Sequence, residues 1–362
     1  MKIAVLGGGM VGSLIATELS KEYTVTVYDH IKLELNNVKT RIMDVTHKKF
    51  QEKIKNYDIA VNCLPGFMGF KMLNTIIELK MSCIDISFMP ENCLKLSKKA
   101  IENDCIIIPD AGVAPGLSNL IIGNIISNND IEEIRIMVGG LPKEKNPPWN
   151  YKAPFSPIDV IEEYTRPARA KINGKIEIRK ALSDIQELDI KGIGKLEAFL
   201  TDGLRTLLNS DPKISKIPNL LEYTIRYPGH ASLVKRLIKN GDFSDEIVEY
   251  KNKKMTRREK TCEDLFEEWK LDNEEEFTIM TISARTYKGK KINYTVYDEG
   301  KDGWSSMSRT TGLTACAFTK LLLEKKINKS GVQCPENLGQ TEYNYNFVLD
   351  YLKEKGISIQ SN

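Results

Sequence analysis

The chain has 362 residues, room for about two domains, and its 41% hydrophobic and 28% charged residues are ordinary for a soluble globular fold. Its 52 basic and 49 acidic residues leave a net charge of only +3, which gives no reason to expect a nucleic-acid partner, and the basic run KNKKMTRREK (251–260) reads as a solvated loop. Seven cysteines without a CxxC pair, three scattered histidines and no stretch near 18 apolar residues argue against a disulfide scaffold, a zinc motif and a membrane span.

The amino terminus enters a strand at once, leaving no room for a targeting peptide, so reduced thiols and a cytoplasmic location are expected. Lys2 to Leu6 is a short β-branched run of the kind buried in a parallel sheet. Gly7, Gly9 and Gly12 follow with G-x-G-x-x-G spacing, Ser13 to Leu19 has helical spacing, and a second strand, Tyr23 to Tyr28, ends at Asp29. Strand, glycine turn and helix in this order suit a dinucleotide. Gly7 turns the chain, Gly9 admits a diphosphate to bare backbone, Gly12 lets helix and strand pack closely, and Met10 and Val11 offer amides at the helix start. Asp29 stands where a carboxylate grips the adenosine ribose, and its charge would repel a 2′-phosphate, which favours NAD over NADP. His30 and Lys32 lie close enough to soften that preference.

The alternation continues through a strand at 58–66 that ends in a Pro-Gly turn and strands at 81–87 and 105–112, with helices over Phe70–Leu79 and Cys93–Asn103. This predicts an α/β fold with a Rossmann doubly wound parallel sheet, whose ligands bind beyond the carboxyl ends of the strands. Cys63, Leu64 and Pro65, then Ile86 and Ser87, then Asp110, Ala111, Gly112 and Val113 fall at such ends and should line the nicotinamide side of a cleft. In PDAGVAPGLSNLIIG (109–123) the last strand stops and the chain leaves through a hinge, with a helix over Leu117–Ile126 aimed back at the cleft.

From residue 131 the pattern changes to longer strands and hairpins. IEEIRIMVGGLP (131–142) alternates, ARAKINGKIEIRK (168–180) turns at Asn173-Gly174, and a long hairpin spans 277–300 about Lys288-Gly289-Lys290. LEAFLTDG (196–203) and LEYTIRYPGH (221–230) read as further strands, and 308–327 as a long amphipathic helix. The expected organisation is a nucleotide domain over 1–118, completed by 305–330 and the carboxy-terminal segment, and a second α+β domain with a mixed or antiparallel sheet over 119–304. Polar residues at its strand ends and turns are Tyr151, Lys152, Ser156, Thr201, Asp202, Arg226 and His230. An arginine fork can hold a carboxylate and a histidine can move a proton. Equally, Arg226 could be a surface ion pair and His230 could cap a helix beginning near Ala231.

VLGGGMVGSLIA, IIPDAGVAPGLSNLI, VGGLP with NPPWNYKAPFSP, LEAFLTDGLRTL, YTIRYPGH and GVQCPE, in that order, resemble the saccharopine dehydrogenase-like family, nearest its L-lysine 6-dehydrogenase branch. The saccharopine branch carries an acidic residue where this hinge has Ala114, and an aromatic one where YPGH ends in histidine. The resemblance implies NAD-dependent hydride removal from the ε-carbon of L-lysine, giving an imine that hydrolyses to an aldehyde. It implies His230 as proton acceptor, with Lys152 and Asp110 as further catalytic candidates, and Arg226, Tyr151, Ser156, Thr201 and Asp202 around the amino acid. It also implies a homodimer paired through the second domain. Saccharopine, a carboxylated polyamine or another ω-amino acid are alternative substrates, and a non-catalytic NAD-binding protein is an alternative of another class.

Overall fold

In the computed structural model, which describes residues 1–153, 157–272 and 274–362, the first six strands run parallel, with helices in all but one of the connections between them. The order is β1 (Lys2–Leu6), α1 (Met10–Leu19), β2 (Thr24–Asp29), β3 (Lys39–Ile42), α2 (Lys48–Ile54), β4 (Ile59–Asn62), α3 (Gly66–Glu78), β5 (Ser82–Asp85), α4 (Ser97–Glu102) and β6 (Ile106–Ile108). The predicted helix over Cys93–Asn103 is two pieces: a 3-10 turn at Cys93–Leu96, opened by the Asn92 side chain on Leu94 N, and then α4. Residues 30–57, where no element is expected, supply β3 and α2.

After α5 (Leu117–Asn128) come β7 (Ile131–Pro142), α6 (Pro157–Thr165), β8 (Ala168–Ile172), β9 (Lys175–Arg179), β10 (Gln186–Ile190), β11 (Gly194–Leu200), α7 (Pro212–Ser215) and β12 (Asn219–Arg226). The chain continues through α8 (His230–Lys239), the separate hairpin β13 (Ile247–Tyr250) and β14 (Lys253–Thr256), α9 (Arg257–Trp269), β15 (Glu276–Thr286) and β16 (Lys291–Glu299). It closes with α10 (Ser306–Leu323), β17 (Gly331–Val332), α11 (Pro335–Leu338), α12 (Glu342–Glu354) and β18 (Ser358–Ser361).

The first sheet is ordered β17-β6-β5-β4-β1-β2-β3, parallel throughout. The order departs from β1 in both directions, which opens a crevice at the carboxyl ends beside β1 and β4. The second sheet runs β10-β11-β12-β7-β15-β16-β18, with β8 paired to β12 and β9 to β8. Only β12 and β7 pair in parallel, so this sheet is mixed, as the sequence predicts. Asn173 and Gly174 both have positive φ (49° and 80°), the requirement of the hairpin turn read from the sequence.

Two features place the cleft between the sheets. Helix α10 packs on α1, where a Cβ on Gly312 would stand 2.8 Å from Leu14 Cδ2. The amphipathic pattern expected of this helix is not what it shows: it is buried on nearly every side, because α1, α12 and β15 enclose it. The hinge after β6 closes on itself, Leu117 N and Ser118 N donating to Gly112 O and Val113 O at 2.9 and 3.0 Å. Strand β12 then sorts its residues by parity. Leu221, Tyr223 and Ile225 enter the core of the second domain, while Glu222, Thr224 and Arg226 face the cleft.

Candidate active site

The cleft occupies about 1290 Å³, mouth included, and its walls come from both sheets. On the nucleotide side, α1 begins at Gly9 with no side-chain cap and no acid in its first turn; α3, α4 and α8 start bare too, but the first residues of α1 are the ones that line the cleft. A helix start left bare in this way presents free N–H groups and a positive dipole end. A Cβ on Gly9 would meet nothing within 4 Å, since it would stand in the cleft; one on Gly12 would run into the Gly7 carbonyl oxygen. The motif thus contains one glycine for ligand room and one for packing. Gly8, whose role the motif spacing does not reveal, is also confined: its N–H donates to Asp29 Oδ2 at 2.7 Å, and a Cβ there would strike Leu33.

Met10, Val11, Cys63, Leu64, Ile86 and Ser87 line the cleft beside this turn, with Gly112 and Val113 beyond them. Ser87 is held by Asp85, which takes its N–H at 2.9 Å and its hydroxyl at 2.7 Å while accepting Asn62 Nδ2 at 2.6 Å. Burial pushes the Asp85 carboxyl up to about 7 against these hydrogen bonds. Burial likewise raises the Cys63 thiol, with the Asp85 charge adding to it, so Cys63 is a neutral wall rather than a nucleophile. The residues fit a dinucleotide: Gly9 to Gly12 would hold its diphosphate and Asp29 its ribose. Gly7, Pro65 and Ala111 stand behind the lining: Gly7 turns β1 at φ +91°, Pro65 precedes α3, and Ala111 N is spent on Asp85 O at 2.9 Å. Asp29 lies beyond the lining at the end of β2, its Oδ2 on Gly8 N and its Oδ1 on Ile31 N at 3.1 Å.

The opposite wall is built from β12, the end of β11, α6 and Tyr151. Arg226 is 2% exposed, its guanidinium stacked 4.3 Å over the Tyr151 ring. Nη2 reaches Glu163 at 2.8 Å and the Tyr151 hydroxyl at 3.4 Å, Nε the Tyr164 hydroxyl at 3.2 Å, and Nη1 Ile225 O at 2.9 Å. Four of its five N–H donors are committed, so the fork expected for a substrate carboxylate is not standing free. Thr201 donates to Glu222 Oε2 at 2.6 Å, Gly203 N does so at 3.0 Å, and Thr224 lies 2.9 Å from Thr201. A hydroxyl has one proton to give, so with Glu222 ionised the order is Thr224 to Thr201 to Glu222. Burial raises the Glu222 carboxyl to about 7.

Three expected site residues turn away from the cleft. His230 is 2% exposed and lies behind Arg226, with Nδ1 3.1 Å from Trp149 O, Nε2 2.9 Å from the Tyr164 hydroxyl, and Trp149, Tyr151 and Trp269 rings around it. Burial and the Arg226 charge push its pKa down to about 3. An imidazole so enclosed is not the proton acceptor that the sequence suggested; it begins α8 and steadies Tyr164. Lys152 is drawn to Lys270 O and Glu274, both at 2.9 Å, because the chain turns its ammonium toward the exposed α9–β15 connection. Asp202 receives Arg169 through Nε at 2.7 Å and Nη2 at 2.8 Å, a bidentate pair that leaves no oxygen for a substrate. Asp110 does line the cleft, but its Oδ1 is bound to Arg205 Nε at 2.6 Å, which makes it half of a buried ion pair. Ser156 lies outside the described residues.

Sequence reasoning misses Asp159, Glu163, Glu222 and Thr224, all of which line the cleft. Two signals are present. Asp159 and Glu163 are four residues apart on α6, hence on one face, and Asp159 Oδ1 accepts Gly66 N across the cleft at 3.2 Å. Glu222, Thr224 and Arg226 recur every second residue between Leu221, Tyr223 and Ile225, the pattern of a strand with one polar face.

A parallel nucleotide-type sheet, a bare helix start over a glycine turn and a polar-faced mixed sheet opposite define a two-domain dehydrogenase fold. Comparison with known families gives the particular one. Residues 3–108 match the saccharopine dehydrogenase NADP binding domain and residues 112–357 the saccharopine dehydrogenase C-terminal domain; the chain belongs to the saccharopine dehydrogenase family. It is 21% identical to the mitochondrial alpha-aminoadipic semialdehyde synthase of Mus musculus over 98% of its length and 47% of the relative's. To the alpha-aminoadipic semialdehyde synthase of Arabidopsis thaliana it is 24% identical over 59% of this chain and 21% of that one. The chain thus spans about half the length, or less, of these curated relatives. Apo saccharopine dehydrogenase (L-Glu forming) from Saccharomyces cerevisiae superposes with a TM-score of 0.77 at 18% identity, covering 100% of this chain and 99% of that one. Among the described residues no helix is long and apolar enough to cross a membrane, and no cluster of His, Cys, Asp or Glu could hold a metal ion.

Proposed function

We propose that the chain is an NAD(P)-dependent dehydrogenase acting on the CH–NH group of an amino acid whose far end carries an amine, with L-lysine, oxidised at its ε-carbon, as the favoured substrate. The observation that carries this reading is the charge of the cleft. Asp159, Glu163 and Glu222 line it together with Asp110, which Arg205 balances from behind; among the described residues the lining has one guanidinium, that of Arg226, which Glu163 already engages. Such a lining favours an ammonium and gives little to a substrate rich in carboxylates. Bound on the α1 turn, a nicotinamide dinucleotide would supply the hydride acceptor. The chain's own residues orient the amino acid: Arg226 offers its one spare N–H to the α-carboxylate, Tyr151 walls the site, and the carboxylates receive the amine. NAD is favoured over NADP by Asp29, whose carboxylate is fixed by Gly8 N at the end of β2. A homodimer in the cytoplasm is the working form we infer from the resemblance.

Saccharopine is the second reading, supported by the full-length superposition on the yeast L-Glu-forming enzyme. It would need Arg226 released from Glu163. Steady-state reduction of NAD+ and NADP+ with L-lysine, L-ornithine and saccharopine separates these readings. Turnover with saccharopine alone would overturn the lysine assignment, and tight dinucleotide binding without turnover on any amine would overturn the enzymatic one.

A further inference from the structure

We infer that Glu222 is the catalytic residue that takes the proton from the substrate nitrogen, its Oε1 facing the amine across the cleft. This rests on the dehydrogenase reading above and holds for a primary or a secondary amine. Oxidation at a carbon bearing nitrogen requires an uncharged amine, so an N–H bond of the ammonium must break before hydride leaves. The proton forms an O–H bond on the carboxylate, the electron pair stays on nitrogen, and the proton later passes to water through the cleft mouth.

Geometry separates Glu222 from its rivals. It is 4% exposed, lines the cleft, and has one oxygen spent: Oε2 receives Thr201 Oγ1 and Gly203 N, while Oε1 takes no hydrogen bond from any described residue. Among the described residues it has no cationic partner within ion-pair distance, unlike Asp110 with Arg205 and Glu163 with Arg226. Asp159 Oδ1 is spent on Gly66 N. His230 and Lys152 point elsewhere.

The charged groups acting on Glu222 are Glu163 from α6 and Asp202 after β11, and β7 sets Ile136 opposite it. Burial, with Glu163 and Asp202, raises the carboxyl to about 7, while Thr201 and Gly203 pull it down. A base poised near neutral pH exchanges protons most effectively there. With the proton on Oε1, Oε2 still accepts the Thr201 hydroxyl, which in turn accepts from Thr224, so the site stays hydrogen-bonded in both states.

The test uses the full chain. Glu222→Gln copies the protonated acid and should fold; its affinity for NAD+ by calorimetry should stay within about twofold, while kcat/KM for the amine falls at least ~100-fold and the acidic limb of the pH profile disappears. Glu222→Asp should restore part of the rate together with the limb. Thr201→Val removes a donor to the ionised form, so the limb should move to higher pH. Infrared difference spectra on adding L-lysine should show a protonated carboxyl in the wild type and not in Glu222→Gln. An E222Q enzyme within about threefold of wild type with its acidic limb in place would overturn the assignment and leave the dehydrogenase reading standing. So would a limb that Thr201→Val leaves unmoved. A wild type that reduces neither dinucleotide with any amine would instead sink the reading on which the assignment rests.

Discussion

Gly9 and Gly12 lie in one motif, and the structure predicts opposite fates for them on substitution. Gly9 is the N-cap of α1 with φ −63° and ψ −170°, a conformation open to any residue, and its missing Cβ borders nothing but the cleft. Gly9→Ser therefore introduces a side chain that caps the helix, worth a few tenths of a kcal/mol over glycine. That hydroxyl takes the same backbone N–H that a diphosphate oxygen needs. Losing one charge-assisted hydrogen bond costs about 1.5–3 kcal/mol, or roughly 10- to 150-fold in affinity. Gly12→Ala has the other signature, since its Cβ would overlap the Gly7 carbonyl, a backbone atom fixed at the β1–α1 turn. Overpacking of this kind costs about 1–3 kcal/mol, more than the ~1 kcal/mol alanine gains in a helix. Thermal unfolding and calorimetric titration with NAD+ read both quantities. Gly9→Ser should melt at or slightly above the wild type and bind the dinucleotide at least ~10-fold more weakly, whereas Gly12→Ala should melt lower. Unchanged affinity in Gly9→Ser would refute the diphosphate site at α1, and an undiminished melting temperature in Gly12→Ala would refute the packing argument.

Other consequences follow from the buried charges. Asp202→Ala should cost about 1–3 kcal/mol by freeing Arg169, yet leave KM for the amine within about twofold, which steady-state kinetics and denaturant melts will show. His230 binds its proton at about 3 in the fold and at 6.5 when unfolded, so between these values the unfolded chain holds more protons. Stability should fall as pH drops through that window, by at most about 1.4 kcal/mol per pH unit, and His230→Asn should flatten the dependence in urea melts. Glu222 has the reverse sign: its folded carboxyl keeps a proton up to about 7 against an ordinary 4.5. Its contribution is full below 4.5 and is lost as pH rises to 7. The stability of Glu222→Gln relative to wild type should therefore increase from pH 5 to pH 8, by up to about 3 kcal/mol.

The features legible in the amino-acid order are local ones. The glycine turn, the β-branched parallel strands and the Asn173-Gly174 hairpin follow from backbone restrictions among near neighbours, and all are present in the fold. Strand ends are legible too, and they assign Cys63, Leu64, Ile86, Ser87, Gly112 and Val113 to the cleft that these residues line. Direction and partnership are not. Arg226 and Asp202 both sit at strand ends, but only tertiary packing brings Glu163 to the first and Arg169 to the second. His230 looks catalytic as a residue type; three aromatic rings from distant segments enclose it and remove its charge. Glu222 looks like one carboxylate among 49 acidic residues until β12 is seated between β11 and β7, which dries its surroundings and turns it toward the cleft. Turns are encoded by a few adjacent dihedral angles, whereas a site's protonation depends on which distant groups fill the space around it.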